Sequence, residues 1–180
     1  MANYHRPPPP VTGFPKIAVV CGAHTDLGRR LCRNLLQSDE VERVIAIAPE
    51  RVRDLEKLSW SVERKMESHK ADFGDMDKVL SRIREADYAF CVTNTDKRAY
   101  EAMDRRSFRE TNFTGPSQFI RKMFELGVLH LTILSHVNAD SHSRTDFYRV
   151  KGNWRSTLTN FPKRQASMHP TCLFSRCLRL

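Results

Sequence analysis

Two hydrophobic periods take turns along this chain, and their order predicts its architecture. Short apolar runs at Ile17 to Cys21, Val41 to Ala48, Tyr88 to Val92, and His130 to Leu134 read as buried strands, and Lys65 to Lys70 reads as a weaker one. Between them lie stretches of helical period. Asp26 to Gln37 carries Leu27, Leu31 and Leu35 at i, i+4 and i+8, a spacing that predicts one apolar face. Arg51 to Leu58 and Met76 to Arg84 read as shorter helices. A long helical region runs from Arg98 to Leu126, with a break expected near Gly115-Pro116 and a buried stripe of Phe119, Ile120, Met123 and Phe124. Asp146 to Thr159 places Val150, Trp154 and Leu158 in register, and Thr171 to Ser175 reads as a last short strand. Strands spaced by amphipathic helices imply right-handed crossovers. The expected fold class is therefore α/β: three layers, α/β/α, around a parallel sheet of about six strands.

The first strand runs straight into a glycine turn and then a helix, Gly22-Ala23-His24-Thr25-Asp26-Leu27-Gly28. That layout is the Rossmann-like first turn, in which a pyrophosphate rests on helix-end N–H groups. In such a turn the first glycine allows the bend, the middle one lets backbone approach the phosphates, and the third lets helix pack on strand. Gly22 and Gly28 fill the first and third positions. Thr25 stands in the middle one, with a side chain where the phosphates approach and a hydroxyl that can still donate. Asp26 favours capping and disfavours a nearby anion. Two readings stay open: a turn that keeps its shape without ligand, and a turn that binds a nucleotide less tightly. Past the second strand stand Glu50, Arg51 and Arg53. Glu50 suits a ribose hydroxyl, Arg51 or Arg53 a 2′-phosphate, and surface charges opening a helix explain all three equally well. Asp72-Phe73 after the third strand is placed for an adenine contact or for an ordinary turn.

A chain of 180 residues, 40% of them hydrophobic, is long enough for one domain with a proper core. Residues 1–15, rich in proline, are expected to form an arm ahead of a domain spanning 16–180. No apolar run reaches the ~20 residues of a membrane span. The start has neither a secretory apolar core nor an arginine-rich transit pattern, so an organelle address would be cryptic or removed. Cys21, Cys32, Cys91, Cys172 and Cys177 are odd in number and widely spaced, which suggests reduced thiols in the mitochondrial matrix or the cytoplasm. His24, His136, His142 and His169 have no metal-ligand spacing, and no metal is expected.

The net charge is +9, and it is uneven: no acidic residue follows Asp146, whereas seven lysines and arginines do. Such a tail attracts polyanions, rRNA among them, or is simply a solvated basic face.

Taken together, Gly22 to Gly28, Ala71-Asp72-Phe73, Phe90 to Thr95, Thr111 to Gly115, Thr132 to Ser135 and Val150-Lys151-Gly152 make the chain resemble the short-chain dehydrogenase/reductases. The nearest branch is the atypical one containing the Tat-interacting oxidoreductase-like proteins. The resemblance runs from Lys16 to the C-terminus and stops before that family's C-terminal substrate-binding part. It implies NAD or NADP, held through Gly22, Thr25, Leu27, Gly28, Arg51, Asp72, Phe73 and Lys151. It also implies chemistry by a serine that polarises a carbonyl, a tyrosine that acts as acid/base, and a lysine that lowers the tyrosine's pKa.

Carried over residue by residue, Lys151 matches the lysine. The position four before it is Phe147, and the neighbouring Tyr148 lies a helical step of ~100° away. The serine falls at Ser135 or at the next position, His136. Asn112 matches an asparagine that supports local backbone. The expectation is a catalytically inactive, dehydrogenase-like accessory subunit of a larger assembly, a mitochondrial ribosome or respiratory complex. Its partners would be other protein subunits, with rRNA along the basic C-terminal region. The alternative is an NAD(P)H-binding oxidoreductase or redox sensor that uses Lys151, Tyr148 and Ser135.

Overall fold

A computed structural model describes residues 16–61, 65–93, 97–128 and 130–159. Five strands form one sheet in the order β3-β2-β1-β4-β5: β1 Lys16–Cys21, β2 Val41–Ala48, β3 Met66–Lys70, β4 Tyr88–Cys91 and β5 His130–Ile133. All neighbouring pairs are parallel. The expected Rossmann-like α/β fold is thus the observed one. The last strand of the sequence reading, with the residues 1–15 arm, Trp154 and Leu158 of the apolar register, Cys172 and Cys177, lies outside the described positions or side chains.

The helices are α1 Asp26–Leu36, α2 Arg53–Ser61, α3 Asp77–Leu80, α4 Lys97–Ala102, α5 Arg105–Arg109, α6 Gly115–Glu125 and α7 Asp146–Thr159. A π-helical segment, Glu110–Thr114, joins α5 to α6. Alternate residues of each strand feed two cores, as a sheet covered on both faces requires. Val19, Cys21, Ile45, Ile47, Ala89 and Cys91 pack with Phe119, Ile120 and Met123 of α6 on one side. Ala18, Val20, Val44 and Ala46 pack with Cys32 and Leu36 of α1 and Leu55 of α2 on the other. Cys21, Cys32 and Cys91 are free and buried.

Three local expectations are corrected. On α1 the buried stripe is Gly28, Cys32 and Leu36, and Leu27 is 48% exposed. The turn sets this rotation. A Cβ at Gly28 would lie 2.2 Å from the Gly22 carbonyl oxygen, so the bare side of Gly28 must face the turn, and Cys32 and Leu36 follow it inward. The long helical region breaks at Met103-Asp104, where Asp104 caps α5 by accepting from the N–H groups of Arg106 and Ser107. At Gly115-Pro116 the chain stays helical. The π segment absorbs the proline, with the Gly115 N–H donating five residues back to Glu110. The helix expected over Met76 to Arg84 is a single turn, because the chain leaves it to bury Ile83 in the core and to reach Asp87. The Asp87 carboxylate accepts from the Ile17 N–H at 2.9 Å.

Candidate functional site

The strand order reverses its direction of growth between β1 and β4, and the carboxyl ends of these strands carry the glycine turn. Gly22 has φ +94°, and a Cβ there would lie 2.1 Å from the Val92 carbonyl oxygen. Backbone approach therefore fixes both end glycines of the turn. Thr25 has a different job from the one its position suggests. It is the N-cap of α1: its hydroxyl accepts from the Gly28 N–H at 3.0 Å and donates to the Gly22 carbonyl at 2.9 Å. The hydroxyl expected to be available to a phosphate is thus turned inward. The first-turn N–H groups of Asp26 and Leu27 remain the helix-end donors.

Two buried polar atoms at this rim have no hydrogen-bond partner among the described residues, Nδ1 of His24 and Oγ1 of Thr93. A polar ligand or water over the turn would satisfy them, so the residues fit a dinucleotide there. Burial lowers the pKa of His24; Glu50 opposes that shift and Arg29 adds to it.

Arg51 is gripped by Glu56 through two bonds of 3.2 and 3.1 Å, and Arg29 and Arg33 both bind Asp54. Glu50 remains exposed beside the turn. Beyond β3, Asp72 forms a turn by accepting from the Gly74 N–H at 2.9 Å, while Phe73 is buried in the core with its ring 6.0 Å from that of His24. Both line a cleft of about 350 Å³ together with Pro49, Gly74 and Glu110.

The remaining site residues meet below β5. Lys151 is 1% exposed, and its ammonium donates to Asn112 Oδ1 at 2.5 Å. The Asn112 amide donates in turn to the Phe108 carbonyl at 3.0 Å, which bears out the backbone role read from the sequence. The π segment is what turns Asn112 toward α7. Burial pushes the Lys151 pKa down to about 7. One turn earlier, Phe147 is fully buried. Tyr148 is half-buried, with its ring 5.1 Å from that of His136, and Ser135 is half-buried just past β5.

His136 is the residue whose weight the sequence understated. Its ring lies 5.4 Å from Phe147, edge to face, and its Nδ1 accepts from the Asn138 N–H at 3.1 Å. Burial and then Lys151 lower its pKa. With Nδ1 accepting, the neutral form of the ring carries its proton on Nε2. The only signal for it in the sequence was its place next to Ser135.

No family model matches the chain, and no curated protein matches it. Solved structures do. Pen from Bacillus thuringiensis matches at 18% identity and TM-score 0.72, covering 87% of this chain and 48% of that one. The UDP-Glc/GlcNAc 4-epimerase of Campylobacter jejuni matches at 15% and 0.64, covering 80% and 48%. UDP-glucose-4-epimerase of Stenotrophomonas maltophila, solved with bound NAD and formylated UDP-arabinopyranose, matches at 16% and 0.65, covering 86% and 51%. The shared feature is the Rossmann-like fold. The chain spans about half the length of these structures. Among the described residues, no helix is long and apolar enough to cross a membrane.

Proposed function

We propose that this domain binds a nicotinamide dinucleotide but does not run the tyrosine-dependent reaction of the short-chain dehydrogenase/reductases. It serves instead as an accessory, dehydrogenase-like subunit of a larger assembly. The observation that carries the second half is Phe147. Where a hydroxyl must stand one turn before the lysine, a fully buried phenyl ring packs against Phe108, Tyr100 and His136. A phenyl ring has no proton to give. The first half rests on the glycine turn, on the Thr93 hydroxyl and His24 nitrogen that have no partner among the described residues, and on the NAD bound in one structural neighbour.

The α1 N–H groups would hold the pyrophosphate, Glu50 the ribose hydroxyls, and the cleft beside Asp72 and Phe73 the adenine. With Arg51 engaged by Glu56, this favours NAD over NADP. When bound, the group would supply a hydride; the chain lacks the tyrosine that would deliver the matching proton. The net charge of +9 and the acid-free stretch after Asp146 support an assembly that contains rRNA or acidic protein, with the mitochondrial matrix as the compartment.

One arrangement favours a second reading, an oxidoreductase with a replaced acid. His136, Tyr148 and Lys151 gather near one another at the end of β5.

The test is a titration of the pure protein with NADH and NADPH by fluorescence, paired with NADH oxidation against α-dicarbonyl compounds. Saturable NADH binding without turnover supports the proposal. Turnover that is lost in Tyr148→Phe or His136→Asn selects the second reading. The absence of any binding refutes both.

A further inference from the structure

A second concave feature is a groove of about 220 Å³ between α7 and the α5–π segment, with Tyr100 of α4 also lining it. Its floor is aromatic. Phe108 is buried with Tyr100 edge-on at 4.5 Å, and Phe113 and Val150 form half-buried walls. Its rim is cationic, with Arg105, Arg109 and Arg149.

The charges at the rim do not cancel. Among the described residues Asp146 is the one carboxylate lining the groove, and both Arg105 and Arg149 pair with it. Arg109 has no carboxylate partner among the described residues, and its guanidinium lies over the Phe113 ring at 5.7 Å. Arg106, next along α5, is bound by Glu110 and does not serve the groove. The groove therefore offers an apolar slot of roughly one side chain's size inside a rim of net charge about +2.

We propose that this groove docks an acidic peptide segment from a partner protein, with one aromatic or large aliphatic anchor in the slot and flanking carboxylates on Arg105 and Arg109. The inference rests on the accessory-subunit reading and names the chemistry of the partner. Two features favour a peptide over RNA. The phenyl ring of Phe108 is buried at the bottom of a slot and offers no open platform on which a base could stack. One face of the Arg109 guanidinium lies over the Phe113 ring, and its edge is the part that pairs with a carboxylate.

The experiment uses the full chain and a fluorescein-labelled peptide, Asp-Glu-Phe-Glu-Asp, followed by fluorescence anisotropy. Replacing the peptide's Phe by Ala should weaken binding about 10-fold or more, the worth of one buried anchor. Arg105→Glu with Arg109→Glu should weaken it by at least about 10-fold, and about 0.5 M salt should weaken it too. Both arginines are exposed, so the variant should fold, and its NADH titration should match the parent's. Three results would overturn the proposal: equal affinity for the anchorless peptide, no effect of the double reversal, or tighter binding of a uridine oligomer of equal charge that the same reversal abolishes. Because NADH binding is read in the same samples, failure of the docking site and failure of the dinucleotide reading are told apart.

Discussion

Lys151→Met should make the domain more stable at neutral pH, although it deletes a residue of the candidate site. The lysine is 1% exposed and its pKa stands at about 7 against an ordinary 10.5. At pH 7 the folded lysine holds its proton only about half the time, whereas the unfolded one holds it fully, and the lowered pKa costs folding about 4 kcal/mol. Methionine fills similar space without a charge. Its own penalty is the loss of the donor to Asn112 Oδ1, about 1–3 kcal/mol. The net expectation is a gain of about 2 kcal/mol at pH 7.

The pH dependence is the sharper part. Between pH 7 and 10.5 the unfolded state binds more protons at this site than the folded state, so wild-type stability rises with pH. From pH 7 to about pH 8.5 that gain is about 1.5 kcal/mol, and the advantage of the methionine variant should shrink by the same amount. Other groups titrate as well. His24 and His136, with lowered pKa values, raise stability as pH climbs through the range just below neutral. Cys21 is pushed up by the neighbouring Cys91 and by burial, and Cys32 is pushed up to about 12, so both lower stability once unfolded thiols ionise. The contributions of His24 and the two cysteines are common to both proteins and cancel in the difference, whereas His136 loses in the variant the part of its shift that Lys151 supplies. Urea unfolding of the two chains at a series of pH values measures it. A variant that is less stable at pH 7, with a difference that does not move with pH, would refute the reasoning.

Four further outcomes follow from the geometry. Thr25→Ala should cost about 1 kcal/mol in denaturant unfolding through the lost cap, whereas Thr25→Gly should cost less and tighten NADH several-fold by opening the approach to α1. Gly28→Ala should lose about 3 kcal/mol or fail to fold, because its methyl meets the Gly22 carbonyl at 2.2 Å; circular dichroism with thermal melting decides. Phe147→Tyr should yield a phenol that ionises above the ordinary ~10 in an ultraviolet titration, since its ring site is fully buried and Lys151, with a pKa of about 7, is neutral by then. Glu50→Ala should weaken NADH more than NADPH in parallel titrations, while Arg51→Ala leaves both nearly unchanged.

The strands were legible because a strand buried on both faces must be apolar throughout, and β2 and α7 appear at the very bounds their patterns marked. Gly22 and Gly28 were legible because a tight turn and a close helix–strand contact leave no room for a Cβ. Thr25 was read as a missing glycine, and its service as the cap of α1 depends on where the Gly28 N–H points, which spacing does not encode. The apolar face of α1 was misplaced at Leu27 for a related reason, a backbone contact that fixes the rotation, while Leu31 and Leu35 do pack, partly buried, against the core. His136 was passed over because its significance lies in its neighbours Phe147, Tyr148 and Lys151, all from a different element.

Sequence alone determined the layered α/β plan, the position of the glycine turn, and the presence of Phe147 one turn before Lys151. These follow from local periodicity and side-chain chemistry, which each residue carries wherever it goes. Only the tertiary structure decided that Glu56 claims Arg51, that Lys151 is buried on Asn112 with its pKa brought down to about 7, and that three arginines line an aromatic slot between α7 and the α5–π segment. Those outcomes depend on desolvation and on charges far apart in the chain brought within a few ångströms, and such energies exist only once the chain has folded.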